Sequence, residues 1–349
     1  GIVADKHSIG GVPGTRTSLI LVPIIAAAGF LIPKSSSRAI TTPDGTADDM
    51  ETLANVEFSK SEIYKIIKAT NGCIVWGGSF HIAPADDVLI HVEKPLLFES
   101  YDKIIVSIMA KKVAFGSNHI VIDIPYGATV KVHSYTDAEI LKNKFLYIAK
   151  RFAIEAEVCI HEVGQPAGRG IGPVLETREA LRVLEQQPDR PLDLEKESLR
   201  LASMLLDLCL KSHDKKLAKD IAKTYGTGEK WAQAMLSSGK ALQKMKDIIN
   251  AQGGDPEITS QKILTQLGTN MHKVKAEKGG VVQKINNRNI TTIAKILGAP
   301  VQKGSGIYLD KKIGEKVNKG DTLYTMHSQS MYNLREAQES VKNISVMEI

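Results

Sequence analysis

The run His119-Ile120-Val121-Ile122-Asp123-Ile124 constrains this chain more than any other. A near-continuous β-branched stretch marks a strand covered on both faces, since a strand with one wet face alternates apolar with polar residues. A helical pattern follows over residues 136–152, then a second buried strand over 156–161. Strand, helix, strand at this spacing is a βαβ unit, because parallel neighbours need a long crossover between them. The expected fold class is therefore α/β, with a mixed or parallel central sheet flanked by helices.

The rest of the chain can be placed around that unit. Residues 1–5 read as a short strand entering a glycine-rich turn. Thr17 or Ser18 can then cap a helix that begins at Leu19, with Pro23 near its first turn and Pro33 as its stop. Residues 34–45 read as a polar loop, and helical spacing resumes at 47–53 and 60–68. A short strand at 73–76 leads through a loop at 77–87 to a helix at 101–114. A glycine-rich loop at 164–172 precedes a helix at 174–184, and residues 194–252 are mostly helical. Short β runs and glycine turns over 272–327 read as a small all-β or α+β module with a helical tail.

Composition narrows the function classes. Lys and Arg number 45 against 39 Asp and Glu, a net charge of +6 with no long basic block, which suits an anionic small ligand as readily as a nucleic acid. A hydrophobic content of 43% with 24% charged residues excludes wholesale disorder. Cys73, Cys159 and Cys209 are far apart and lack metal-type spacing, so buried thiols in a reducing compartment and no metal site are expected. The longest apolar run, residues 19–32, is interrupted by Pro23 and Gly29 and is too short to span a bilayer. A cytoplasmic protein without a membrane partner is the expectation.

Three segments could carry chemistry. In the first, Lys6-His7-Ser8-Ile9-Gly10-Gly11-Val12-Pro13-Gly14, glycines let the backbone approach a ligand just before a helix N-terminus, where free N–H groups and the helix dipole favour an anion. Lys6 supplies a full charge, and Ser8 and Ser18 supply hydroxyls. The spacing is neither a Walker loop nor a dinucleotide fingerprint. The second segment, residues 34–48, offers hydroxyls, Arg38 and a helix start at Thr46, a platform for an anion or for sugar hydroxyls. In the third, Ser107 and Lys111 are four apart on one helix and share a face.

Together these segments resemble the thymidine phosphorylase and pyrimidine nucleoside phosphorylase family. The matching residues are Lys6-His7-Ser8-x-Gly10-Gly11, Ser36-x-Arg38, Gly45-Thr46-x-Asp48 and Ser107-Ile108-x-x-Lys111-Lys112. The loop 165–173 and the run 313–321 are similar to the family as well, most of all to its branch containing the AMP phosphorylases and a group of bacterial thymidine phosphorylases. The resemblance implies phosphorolysis of an N-glycosidic bond, without a cofactor and with inorganic phosphate as co-substrate. AMP, giving adenine and ribose 1,5-bisphosphate, is the leading substrate. Thymidine is the rival, and a nucleotide-binding homologue without turnover is a third reading.

By the same resemblance, Lys6, Ser8, Ser18, Ser36 and Thr46 hold the attacking phosphate. Gly11, Ser37, Arg38, Ala39, Ile40, Thr41, Thr42, Thr46, Ser107, Lys111 and Lys131 are the nucleotide-binding positions, and His7 is a catalytic candidate near the base. The family places an aspartate as proton donor eight residues before the helix serine. Here that position is Glu99, an extra methylene longer, with Asp102 as its rival. Three regions are expected: a central α/β phosphate-binding domain over 1–80 and 115–265, the remnant of a small α domain carrying the base-binding helix over 81–114, and a C-terminal β-rich phosphorylase domain over 270–349. Relatives carry a further helical segment before the position of Gly1. A homodimer or larger homo-oligomer, with small-molecule partners and no nucleic acid, completes the expectation.

Overall fold

The computed structural model describes residues 1–14, 16–39, 41–80, 101–212 and 215–349. Strand β1 (Ala4–Ser8) pairs in parallel with β4 (His119–Tyr126), and β4 with β5 (Glu155–Glu162). A second parallel pair, β2 (Ile32–Ser36) and β3 (Gly72–Trp76), joins this sheet through a parallel bridge between Val3 and Leu31. The order across the five strands is therefore β3-β2-β1-β4-β5, all parallel, which requires helical crossovers on the faces.

The apolar run after the first turn forms α1 (Thr17–Ala27), whose residues are buried on every side from Thr17 to Ala26. A helix apolar all round belongs in a core, and α1 packs there against α6 (Pro173–Leu184), α7 (Leu192–Lys211), α9 (Gly228–Ser237) and α10 (Lys240–Ala251). Between α7 and α9 lies α8 (Lys215–Thr224), and the other face of the sheet holds α4 (Tyr101–Ala114) and α5 (Tyr135–Arg151). The short α2 (Thr46–Met50) follows β2, and α3 (Lys60–Thr70) precedes β3. Ser59 caps α3 and Ser134 caps α5, each accepting from the backbone N–H three residues on.

The C-terminal part has its own core. Strand β6 (Gly170–Ile171) opens a four-stranded antiparallel sheet, in the order β6-β10-β12-β7, with β7 at Asn270–Lys275, β10 at Gly306–Leu309 and β12 at Thr322–Ser328. Two small antiparallel pairs flank it: β8 (Gly280–Val281) with β11 (Lys316–Val317), and β9 (Lys284–Ile285) with β13 (Met347–Glu348). Helices α11 (Asn287–Ile296) and α12 (Met331–Ser340) cover the apolar face. Among the described residues, no helix is long and apolar enough to cross a membrane.

Several sequence expectations need correction. The first strand lies at Ala4–Ser8, so Lys6, His7 and Ser8 stand on a strand end and not in the turn. Arg16 occupies the N-cap of α1 without a side-chain cap, and Thr17 is already helical. Pro23 falls in the body of α1. Pro33, expected to stop the helix, and Lys34, expected to open a polar loop, both belong to strand β2; the run Pro-Lys-Ser-Ser hides a buried strand because its Lys34 finds Asp5 inside. Gly170–Ile171 is a strand and not loop, since Ile307 and Tyr308 pair with it. The C-terminal module is α+β, with α11 in its middle, the second of the two forms expected for it.

Candidate functional site

In a parallel α/β sheet the carboxyl ends of the strands are where ligands gather, because the loops there open onto helix N-termini. Here β1 ends in Ser8, β2 in Ser36, and β4 runs through Asp123 to Tyr126. Lys6 is almost wholly buried, and its Nζ donates to Thr17 Oγ1 at 2.6 Å and Gly14 O at 3.3 Å. That places the amine between the end of β1 and the first turn of α1, where Ser18, the next residue of the helix, is also buried. Burial pushes the amine of Lys6 down, and the nearby carboxylates of Asp123 and Glu197 oppose this without cancelling it.

Ser8 Oγ donates to Asp123 Oδ2 at 2.7 Å. His161 Nε2 lies 2.9 Å from Asp123 Oδ1 and 3.3 Å from Glu197 Oε1. Burial pushes the Asp123 carboxyl up, but His161, Lys6 and Ser8 outweigh it and hold the group below the usual carboxylate range. Asp123 was not anticipated as a site residue. An aspartate inside a buried β-branched run is the signal that could have found it, since a lone buried charge must be paired.

A second buried cluster lies under the sheet end. Asp5 Oδ2 pairs with Lys112 Nζ at 2.7 Å and accepts from Ser117 Oγ at 3.2 Å, while Lys34 Nζ lies 3.9 Å from Asp5 Oδ1. Burial and then the charge of Lys112 drive the Lys34 amine well below its ordinary value. His7 faces the same lysines. Burial, then Lys112, Lys34 and Lys6, hold its imidazole well below 6.5, so it is neutral at pH 7.

The glycines of the loop are there for space. A Cβ on Gly10 would sit 2.0 Å from Pro125 Cγ, and one on Gly14 would sit 2.3 Å from Ser8 Oγ. Gly11 has φ +68°, and a Cβ there would meet Thr42 Cγ2 at 3.3 Å and Lys131 Cε at 3.7 Å. The structure thus brings Gly11, Thr42 and Lys131 together. Thr42 Oγ1 donates to Asp44 O at 2.6 Å. Asp48 Oδ2 accepts from the backbone N–H groups of Ala39 and Gly45 at 2.7 and 3.0 Å, which shapes the turn before Thr46. Lys111 Nζ donates to Ser107 Oγ at 3.3 Å, and the aliphatic stem of Lys111 passes Gly77 near Ser35.

Other expected site residues stand differently. The guanidinium of Arg38 is bonded to Glu51 at 2.6 Å and Glu57 at 2.7 Å and lies over the Trp76 ring, so its charge is already matched. Ser37 is exposed, and Ser36 Oγ donates to Ser37 O at 3.2 Å. Asp102, the rival proton donor, is exposed and paired with Lys144 at 2.5 Å. Glu99 and Ile40 lie outside the described residues, as does the stretch 81–87 of the loop expected before α4. Among the described residues, two clusters have a metal-like donor set, Asp123–His161–Glu197 and Asp44–Asp49–Glu176. The first is engaged by Ser8 and Arg200, and Arg16 sits against the second, with Nη2 at 3.0 Å from Glu176.

A five-stranded parallel sheet with a buried lysine, hydroxyls and a glycine loop at its carboxyl end defines the class as an α/β protein with a cationic, glycine-lined strand end. The comparisons place it further. The model described as "Glycosyl transferase family, a/b domain" matches residues 1–242, and the chain belongs to that family. The "Pyrimidine nucleoside phosphorylase C-terminal domain" matches residues 281–348. A protein of Rhodopseudomonas palustris strain BisB18 named "Putative thymidine phosphorylase" is 46% identical over 327 residues, 94% of this chain and 60% of that protein. The AMP phosphorylase of Methanococcus maripaludis is 44% identical over 336 residues, 96% of this chain and 64% of that protein. The chain thus spans less than two thirds of the length of these relatives. Among solved structures, anthranilate phosphoribosyltransferase of Thermus thermophilus superposes with a TM-score of 0.53 at 15% identity, over 72% of this chain and 78% of that one, a likeness of fold.

Proposed function

We propose that this chain cleaves the N-glycosidic bond of a nucleoside 5′-monophosphate with inorganic phosphate, AMP first, releasing the free base and a pentose 1,5-bisphosphate. The observation that carries this reading is the Lys6 ammonium, buried at the carboxyl end of β1 beside Thr17, Ser18, Ser8 and the glycine loop. The relatives named for AMP and thymidine phosphorylase support the reaction class.

In this reaction a phosphate oxygen forms a bond to C1′ as the C1′–N bond breaks. Positive charge grows on the sugar while the base leaves with the electron pair and takes up a proton. Phosphate held by Lys6, the Ser8 and Ser18 hydroxyls and the amides at the start of α1 opposes that positive charge in the transition state. The nearby carboxylate of Asp123 favours the charged form of Lys6 against the burial that lowers it, and Asp123 in turn fixes the Ser8 hydroxyl. Thr46 and Ser36, at the next strand end, complete the anion site. Ser107 and Lys111 on α4 face the base, and neutral His7 stands under it as a hydrogen-bonding group. Glu99 is the proposed donor of the proton to the base.

The test is phosphate-dependent base release from AMP, CMP, UMP, thymidine and adenosine, by the chain and by Lys6→Ala. Removing a buried charged donor from the anion is expected to lower kcat/KM for phosphate by about 100- to 1000-fold. Unchanged turnover in that variant overturns the assigned anion site. Turnover of thymidine without turnover of any nucleotide selects the rival reaction.

A further inference from the structure

A cavity of about 610 Å³ opens beside the glycine loop, and one of its walls comes from the C-terminal module. Gly10 to Pro13, Thr41 and Thr42 line it on the sheet side, with Tyr101 and residues 129–131 beyond. Opposite them, the first turns of α11 present Asn287, Arg288, Thr291 and Thr292. Among the described residues, the lining includes Lys131, His133 and Arg288 and no carboxylate, and the rest of its polar side chains are mostly hydroxyls. Such a surface suits an anion and repels a cation.

The geometry of the wall is built. Asn286 caps α11, accepting from the N–H groups of Arg288 and Asn289 at 3.1 Å each, and the first turn of the helix carries no acidic residue. The positive end of the helix therefore faces the cavity. Asn287 Nδ2 donates to Thr129 Oγ1 at 2.9 Å and so anchors this helix start to the loop after β4. Arg288 Nη2 lies 2.8 Å from His133 Nε2, so the ring nitrogen accepts from the guanidinium and holds it along the cavity rim.

The occupant follows by elimination. Lys6, Ser8 and Thr46, assigned to the attacking phosphate, do not line this cavity, and neither do Ser107 and Lys111, assigned to the base. Gly10 and Gly11 connect the attacking-phosphate site to it. A ligand that spans from that site into the cavity brings its remaining end here, and an anionic end is what Lys131 and Arg288 can bind.

We propose that Arg288, supported by His133 and the N-terminus of α11, holds the 5′-phosphate of the substrate, so that the C-terminal module selects nucleotides over nucleosides. The proposal rests on the nucleotide reading above. A guanidinium offers a phosphate two parallel N–H donors, which a nucleoside hydroxyl cannot use.

The test is equilibrium binding of ribose 5-phosphate, AMP and adenosine to the chain, to Arg288→Ala, to Arg288→Lys and to His133→Ala, with base release measured in parallel. Arg288→Ala is expected to weaken ribose 5-phosphate and AMP by about ten- to a hundredfold, the value of a lost charged hydrogen bond, and to leave adenosine unchanged. Arg288→Lys is expected to recover part of the loss, and His133→Ala to give a smaller loss. Equal affinity of Arg288→Ala and the unaltered chain for AMP overturns the proposal, as does failure of the unaltered chain to bind ribose 5-phosphate. Arg288-dependent binding without base release leaves the anion site standing and overturns the phosphorolysis reading. Base release from AMP that ignores Arg288→Ala does the reverse.

Discussion

Replacing Arg16 by methionine isolates the most demanding interaction in the core. The guanidinium is fully buried at the start of α1, 3.0 Å from Glu176 and 2.8 Å from Glu179, and Nη1 also donates to Gly170 O. Asp44 and Asp49 share the same interior. Methionine matches much of the volume but leaves four buried carboxyl groups without this cation. Breaking a buried pair by removing one partner costs about 3–5 kcal/mol, because the remaining charge is stranded. Burial, and then the charge of Glu176, already hold the Asp44 and Asp49 carboxyls well above their ordinary value. A carboxyl raised in the folded state adds stability that is fully present below its unfolded value, near pH 4, and is lost as pH rises through the folded value. Arg16 lowers both groups, so its removal moves their folded values higher and extends that loss to higher pH. The deficit of Arg16→Met should therefore be larger at pH 8 than at pH 5, by about 1.4 kcal/mol for each unit that one group moves across that window. Urea unfolding followed by tryptophan fluorescence reads this directly, since Trp76 and Trp231 both belong to the α/β part. A deficit under about 1 kcal/mol, or one that is larger at pH 5, refutes the reasoning.

Gly10→Ala places a methyl group 2.0 Å from Pro125 Cγ, so the loop must shift; a loss of about 1–3 kcal/mol in thermal unfolding and a raised KM for nucleotide are expected, and wild-type values for both count against the packing argument. The three thiols are buried, and burial pushes Cys73 and Cys209 up to about 12 and Cys159 to about 11. A thiol-reactive dye at pH 8 should label the folded chain slowly and the urea-unfolded chain at once, and fast labelling of the native chain contradicts their burial.

The parts most legible in the sequence were those where a local pattern decides. The β-branched run at β4, the helical spacing of α4 and the strand at 156–161 all appear where periodicity placed them, because burial on both faces or on one helix face needs no distant partner to be recognised. The motif residues Lys6, Ser8, Gly11 and Lys111 could be singled out because their chemistry shows in residue type. Strand β2 and helix α11 were not legible. Pro33 and Lys34 argue locally for a loop, and only pairing with β3 and the carboxylate of Asp5 overrules them. Helix α11 does show Ile290, Ile293, Ala294 and Leu297 at helical spacing behind Asn286, a signal masked by the strands on either side.

By itself the sequence determined the α/β class, the glycine-rich turn that follows β1 and the backbone freedom that Gly11 needs at φ +68°, all set within one element or turn. The tertiary structure alone decided which charges meet: Asp123 with Ser8 across 115 residues, Arg16 with Glu179 across 163, and the wall that Arg288 forms opposite Gly11. The physical reason is that a buried or clustered charge is defined by its partners, and those partners arrive from distant strands and helices only when the sheet and the C-terminal module have closed around them.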